Sequence, residues 1–87
     1  MHDETVLKAF GFVCRGKIRE MVFRELQEPN IPSRIARTTE IRLASVSRAL
    51  LDLEKHGIVR CINPKERRGR VYQLTTLGKR VFELVVV

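Results

Sequence analysis

The chain has 87 residues, 44% of them hydrophobic, with 17 Lys/Arg against 10 Asp/Glu and a net charge of +7. That apolar content excludes a disordered chain, and the length holds one domain, residues 1–87. No run of about 18 uncharged apolar residues occurs and the first residues, MHDET, are polar and slightly acidic, so neither a membrane span nor a signal peptide is expected and the expected compartment is the cytoplasm.

The charge is unevenly placed. Residues 1–28 carry five Lys/Arg and five Asp/Glu, whereas residues 29–70 carry ten Lys/Arg against four Asp/Glu, a net of +6. An excess confined to one region is what a polyanion-binding face needs, because every phosphate neutralised releases condensed counterions. Cys14 and Cys61 are 47 residues apart and belong to no metal-ligand spacing. With only His2 and His56 to help them, two reduced, partly buried thiols are expected, and no metal or other cofactor.

Residues 1–14 hold Val6, Leu7, Phe10, Phe12 and Val13, too many apolar groups for a loose tail. They read as a short helix from about Thr5, broken at Gly11 and docked on the body or on a partner chain. From Arg15 to Glu28, Ile18, Met21, Val22 and Leu26 fall on one stripe at helical spacing, which predicts a core helix ended by Pro29 and Asn30. Ile31 is expected as the single paired residue of a very short strand. Pro32 and Ser33 open the next helix, with the serine as cap, Ile35 and Ala36 inward, and Arg34 and Arg37 outward. Thr39-Glu40-Ile41 makes a turn with Ile41 as its apolar plug.

The following helix runs from about Leu43 to Lys55, with Leu43, Val46, Ala49, Leu50 and Leu53 on the core face. Ala44, Arg48, Leu51 and Lys55 fall opposite, flanked by Ser45 and Asp52. The first two turns of that outer face are small and polar around one long cation, so a major groove can approach closely while Arg48 reaches base edges. A plain solvated helix exterior has the same pattern.

Gly57 ends the helix, and Ile58–Ile62 follows as a strand. Asn63-Pro64 breaks it. Then comes KERRGR, residues 65–70, with a net charge of +3, before Val71–Leu74 returns as the partner strand. A hairpin tip bearing Lys65, Arg67, Arg68 and Arg70 can lie along a phosphate backbone or enter a minor groove. Thr75 caps a last helix with Leu77, Val81, Leu84 and Val85 on one stripe. Phe82, Val86 and Val87 fall outside that stripe. This apolar ending predicts a homodimer with Val81, Phe82, Val85 and Val86 at the interface; the alternative is that Phe82 and the valines fold back on the N-terminal segment of their own chain.

Over Leu43 to Gly78 the sequence resembles the winged-helix transcriptional regulators of the MarR and ArsR type, especially the small archaeal ones. The matching residues are Val46-Ser47-Arg48-Ala49-Leu50, Leu53-Glu54, Gly57-Ile58-Val59, Asn63-Pro64, Gly69-Arg70-Val71-Tyr72 and Leu74-Thr75 with Gly78. With a looser match at Ser33-Arg34-Ile35-Ala36, they span roughly two thirds of the chain. The resemblance implies an α+β winged helix-turn-helix: helix, short strand, helix, recognition helix, two-stranded wing, C-terminal helix. It also implies DNA contact at Ser47 and Arg48 and wing contact from Lys65 to Arg70. Arg42 departs from the family's small N-cap residue and Glu40 from its frequent glycine. The metal-binding clusters of ArsR-type sensors are absent, and 87 residues leave little room for the ligand pocket of MarR-type proteins, so no small-molecule effector is expected.

The expected function is sequence-specific binding of double-stranded DNA by a homodimer that regulates transcription. Arg48, Ser45 and Ala44 would read bases, Ser33, Arg37, Arg42 and Ser47 would hold phosphates, and Lys65, Arg67, Arg68 and Arg70 would form the wing contact. A protein-interaction module and a non-specific architectural nucleic-acid binder are the other classes this pattern permits. An enzyme is not expected, for there is no phosphate-cradling glycine loop, no nucleophile beside a plausible base and no cluster of carboxylates.

Overall fold

The structure, a computed structural model, describes residues 3–86, so His2 and Val87 lie outside the described residues. The fold is α+β. Its elements are α1 (Glu4–Cys14), α2 (Lys17–Arg24), α3 (Pro32–Thr39), α4 (Leu43–Lys55), β1 (Val59–Cys61), β2 (Tyr72–Leu74) and α5 (Thr76–Val85). No described helix is long and apolar enough to cross a membrane.

One continuous core contains Val6, Val13, Val22, Phe23, Leu26, Ile35, Val46, Leu50, Leu53, Ile58, Val59 and Val81, all essentially inaccessible to solvent. Burying side chains of this size contributes about 1.5–3 kcal/mol each, which is what holds a chain this short against its conformational entropy. α4 packs on α2, α3 and β1, while α1 packs on α5 and α2.

The first helix runs through Gly11 without the expected break, because Val6, Ala9 and Val13 dock on the core on both sides of it. Asp3 caps it, accepting from Val6 N at 2.8 Å, and Arg80 of α5 reaches the same carboxylate at 3.3 Å. The hydrogen bond from Val6, reinforced by Arg80, holds the Asp3 carboxyl below its ordinary pKa.

α2 is shorter than its hydrophobic pattern predicts and is rotated in phase. Its core face is Val22 and Phe23, continued by Leu26, whereas Ile18 and Met21 remain 44% and 36% exposed. Phe23 decides the phase: its ring lies 5.6 Å from that of Phe82, and an aromatic side chain buries more apolar area than a methionine at the edge.

The end of α4 is tied to α1 by a stack that α2 joins from the other side. The Phe12 ring stacks on His56 at 3.7 Å and carries the Arg19 guanidinium at 3.7 Å, distances at which the two groups must occupy opposite faces. Arg19 also donates to the Phe12 carbonyl.

β1 and β2 pair antiparallel, Val59 with Leu74, Arg60 with Gln73 and Cys61 with Tyr72. A third chain segment joins the free edge of Tyr72, and its residue is Asn30, not the expected Ile31. The reason is local. The Ile31 carbonyl starts α3 by accepting from Arg34 N and Ile35 N, and its N–H is taken by Asn30 Oδ1 at 2.9 Å. Asn30 keeps its own backbone free for Tyr72 and closes α2 through its side-chain amide, which donates to Glu25 O at 3.1 Å.

Gly57 takes φ +70° and turns the chain from α4 into β1. Thr75 then caps α5, accepting from Gly78 N at 3.0 Å while its hydroxyl donates to the Gly57 and Ile58 carbonyls. This brings α5 so close to β1 that a Cβ on Gly78 would stand 2.0 Å from Ile58 O.

The last helix corrects the expected interface. Val81 and Val85 belong to the chain's own core, and Phe82 packs on Phe23, because α5 lies against α1. Of the four residues, Val86 alone is free, at 49% exposed.

The Gly78 contact gives a test. Gly78→Ala is expected to lower unfolding stability by about 1–3 kcal/mol in urea titration, since backbone atoms must move to admit the methyl. An unchanged midpoint would show that α5 does not sit on the Ile58 carbonyl.

Candidate nucleic-acid interface

α3 begins at Pro32, whose fixed φ suits the first helical position, and Ile31 is the N-cap. Ser33 is therefore two residues past the cap position, and its side chain faces solvent. α3 ends at Thr39, whose hydroxyl donates to Ile35 O and accepts from Ile41 N. Glu40 follows in the left-handed region, φ 60° and ψ 24°, a conformation that costs a non-glycine residue about 1 kcal/mol or more. Ile41 packs partly against the core, and Arg42 forms the N-cap of α4 without a capping hydrogen bond from its side chain.

α4 spans Leu43 to Lys55 as its periodicity predicts, and Val46, Ala49, Leu50 and Leu53 are its buried face. Leu43 is the exception: placed in the first turn, it is 51% exposed and faces away from the core. Leu51, on the outer face, is 49% exposed.

The loop between β1 and β2 is organised by Asn63. Its Oδ1 accepts from Val71 N at 2.8 Å and from Cys61 Sγ at 3.5 Å, and its Nδ2 donates to Gly69 O at 3.0 Å. Arg70 completes the clamp, with Nε donating to Glu66 O and Nη2 to Pro64 O, both at 2.8 Å. Arg70, expected in the wing contact, uses two of its guanidinium donors to hold the loop, while Lys65, Arg67 and Arg68 are exposed at the tip.

These parts meet at a groove of about 410 Å³ between the start of α3, the outer flank of α4 and the β1–β2 loop. Ser33, Ser47, Arg67, Arg68 and Arg70 of the expected site line it, together with Leu43, Leu51 and Tyr72. No carboxylate does. The remaining expected residues lie around it. Ala44 and Arg48 sit on the exterior of α4 beside Ser47 and Leu51. Ser45 is half-buried in a separate cleft against the first turn of α2, apart from the groove. Arg37 and Arg42 are exposed but do not line the groove.

Ion pairing sharpens the charge asymmetry. Among the described residues the ion pairs are Glu4–Lys8, Glu20–Arg24 and Asp3–Arg80, all outside residues 29–70. The cations of α3, α4 and the loop therefore have no carboxylate partner within ion-pair distance, and their field points outward.

Both cysteines are free thiols; Cys14 is exposed rather than partly buried, and desolvation, followed by the nearby Glu20 carboxylate, raises its pKa. No group of His, Cys, Asp and Glu among the described residues has the arrangement of a metal site.

Sequence reasoning missed Leu43 and Leu51 as lining of the groove, and Asn63 as the residue that shapes the loop. The outward position of Leu51 was legible from helical spacing. For Asn63 the available signal was an Asn-Pro pair ahead of a glycine-bearing turn, where an amide side chain commonly closes a loop on its backbone. In comparisons with known proteins, no family model, no curated protein and no solved structure matches this chain.

The loop clamp is testable by amide hydrogen exchange. Asn63→Ala should accelerate exchange at Val71 about five-fold, the equivalent of one lost hydrogen bond of ~1 kcal/mol, while Ile58, bonded to Leu53 O, keeps its rate. Equal exchange at Val71 in both proteins would contradict the assignment.

Proposed function

We propose that the chain is a winged helix-turn-helix that binds double-stranded DNA in a sequence-dependent way and regulates transcription as a homodimer. In this reading α3, the Glu40 turn and α4 form the helix-turn-helix, and the β1–β2 loop is the wing. The observation that carries it is the groove of about 410 Å³, which collects three arginines and two serines without a carboxylate beside a helix whose exterior bears Arg48.

The dimensions and chemistry support the assignment. The 13 residues of α4 extend about 20 Å at ~1.5 Å per residue, enough to cross a major groove about 12 Å wide. Ala44 and Ser47 are small, so the helix can approach the base edges, and Arg48 has the reach and the fork of donors to engage a guanine. Ser33 and Ser47 offer hydroxyl donors to phosphates. Arg67 and Arg68, uncommitted at the wing tip, supply charge to the backbone or minor groove.

The dimer rests on what folding leaves uncovered. With Val81, Phe82 and Val85 used within the chain, the exposed large apolar groups outside the basic region are Leu7, Ile18, Met21 and Val86, while Leu43, Leu51 and Ile62 lie within it. Two copies double the phosphate contacts and give a two-fold operator.

The test separates base reading from charge. On a duplex selected from a random library by the protein, Arg48→Ala should cost about 1–3 kcal/mol, and on an unrelated duplex it should cost little. Arg67→Ala with Arg68→Ala should weaken both and reduce the slope of log K against log salt by about 2. Equal losses from Arg48→Ala on both duplexes would leave a non-specific architectural binder. No binding to any duplex at low salt would leave a protein-interaction module.

A further inference from the structure

We propose that Leu43 and Leu51 read the 5-methyl groups of thymines, so that α4 recognises DNA through apolar contacts as well as through Arg48. The inference rests on the DNA-binding reading above and extends it to the chemistry of the recognised bases.

Two leucines about half exposed, at 51% and 49%, stand eight residues apart on one helix with Ser47 between them. Spacing of i, i+4 and i+8 places all three on one flank, and all three line the groove facing the wing. Nothing in the fold requires leucine there: the core face of α4 is complete with Val46, Ala49, Leu50 and Leu53, and shorter or polar side chains would cost the core nothing.

The surroundings decide what covers them. Ile31, Pro32 and Tyr72 join the two leucines in lining the groove and give it an apolar floor, while Arg67 and Arg68 line it as well and no carboxylate does. Asp52 and Glu54 border Leu51 only on the exterior of α4, away from the wing. The complementary ligand presents apolar groups close to a line of negative charge. Duplex DNA does so at thymine, whose 5-methyl projects into the major groove between the phosphate backbones. The cations keep the backbone in place while the leucines remove the methyl from water.

The test uses the full chain and a duplex enriched by it from a randomised library, with each thymine in turn replaced by deoxyuridine. That change deletes the methyl and leaves base pairing intact. At one or more positions the unaltered chain should lose about 4-fold in affinity, the value of one buried methylene. Leu43→Ala or Leu51→Ala should bind thymine and uracil duplexes equally at the position each reads. Arg67→Ala should weaken both duplexes and preserve their ratio. Circular dichroism of the leucine variants should match the parent, since both sites are exposed.

A thymine-to-uracil ratio of one at every position, or a ratio that survives both leucine substitutions, would overturn the inference while leaving DNA binding intact. In that case an acidic apolar peptide is the occupant to test on the groove. Failure to enrich or bind any duplex would overturn the underlying reading as well.

Discussion

Tyr72 lies between two neighbouring chain segments, and the geometry of the candidate interface depends on that. On one side it stands opposite Cys61 in the hairpin; on the other both its backbone groups are taken by Asn30, its N–H donating to Asn30 O at 2.9 Å and its carbonyl accepting from Asn30 N at 3.0 Å. Asn30 immediately precedes the N-cap of α3, so the hairpin is fixed to the start of that helix, and through the short Glu40 turn to α4. Its ring, buried in the core, forms part of the groove wall. Without this bridge the hairpin would keep its packing on α4 and α5 but lose its tie to the start of α3, and with it the fixed wall of the groove.

The charge distribution imposes a second constraint. The ion pairs among the described residues lie within α1, within α2 and between the N-cap of α1 and α5, while the basic region keeps its cations unpaired. Such a surface repels itself, so it persists only because a continuous apolar core below it supplies the stability. The loop follows the same division of labour. Arg70 gives up its guanidinium to backbone carbonyls, and Asn63 both accepts and donates, so that Arg67 and Arg68 are presented at a defined place without being tied there themselves. Glu40 in its left-handed conformation marks a further local cost, at the turn that sets the angle between α3 and α4.

Much of the fold was legible wherever a residue's local chemistry leaves little choice. Helical periodicity and Gly57 bounded α4, and Thr75 announced α5, because a positive φ and a hydroxyl cap are properties of single positions. The errors fall where a distant partner decides. Phe82 lies off the stripe of its own helix and looked free; Phe23, 59 residues earlier, covers it and also sets the phase of α2. Ile31 is the better strand residue by propensity, yet Asn30 is paired because its side chain can satisfy two neighbouring backbone groups at once. At the candidate site, charge drew attention to the arginines of the β1–β2 loop but could not show that Arg70 turns inward, and a core-face pattern hid Leu43, which its first-turn position leaves outside. Placing Ser33, Ser47, Arg67 and Arg68 on one groove required the hairpin to be docked on α3, a tertiary fact.

The most direct test of the central claim is a titration of the isotope-labelled protein with a duplex it has selected, followed by backbone amide chemical shifts. The account predicts perturbations concentrated at Ser33, over Leu43 to Leu51 and at Lys65 to Gly69, with α1, the outer face of α2 and α5 unaffected by DNA contact. Shifts centred on α1, α2 and α5, or none at low salt, would contradict it.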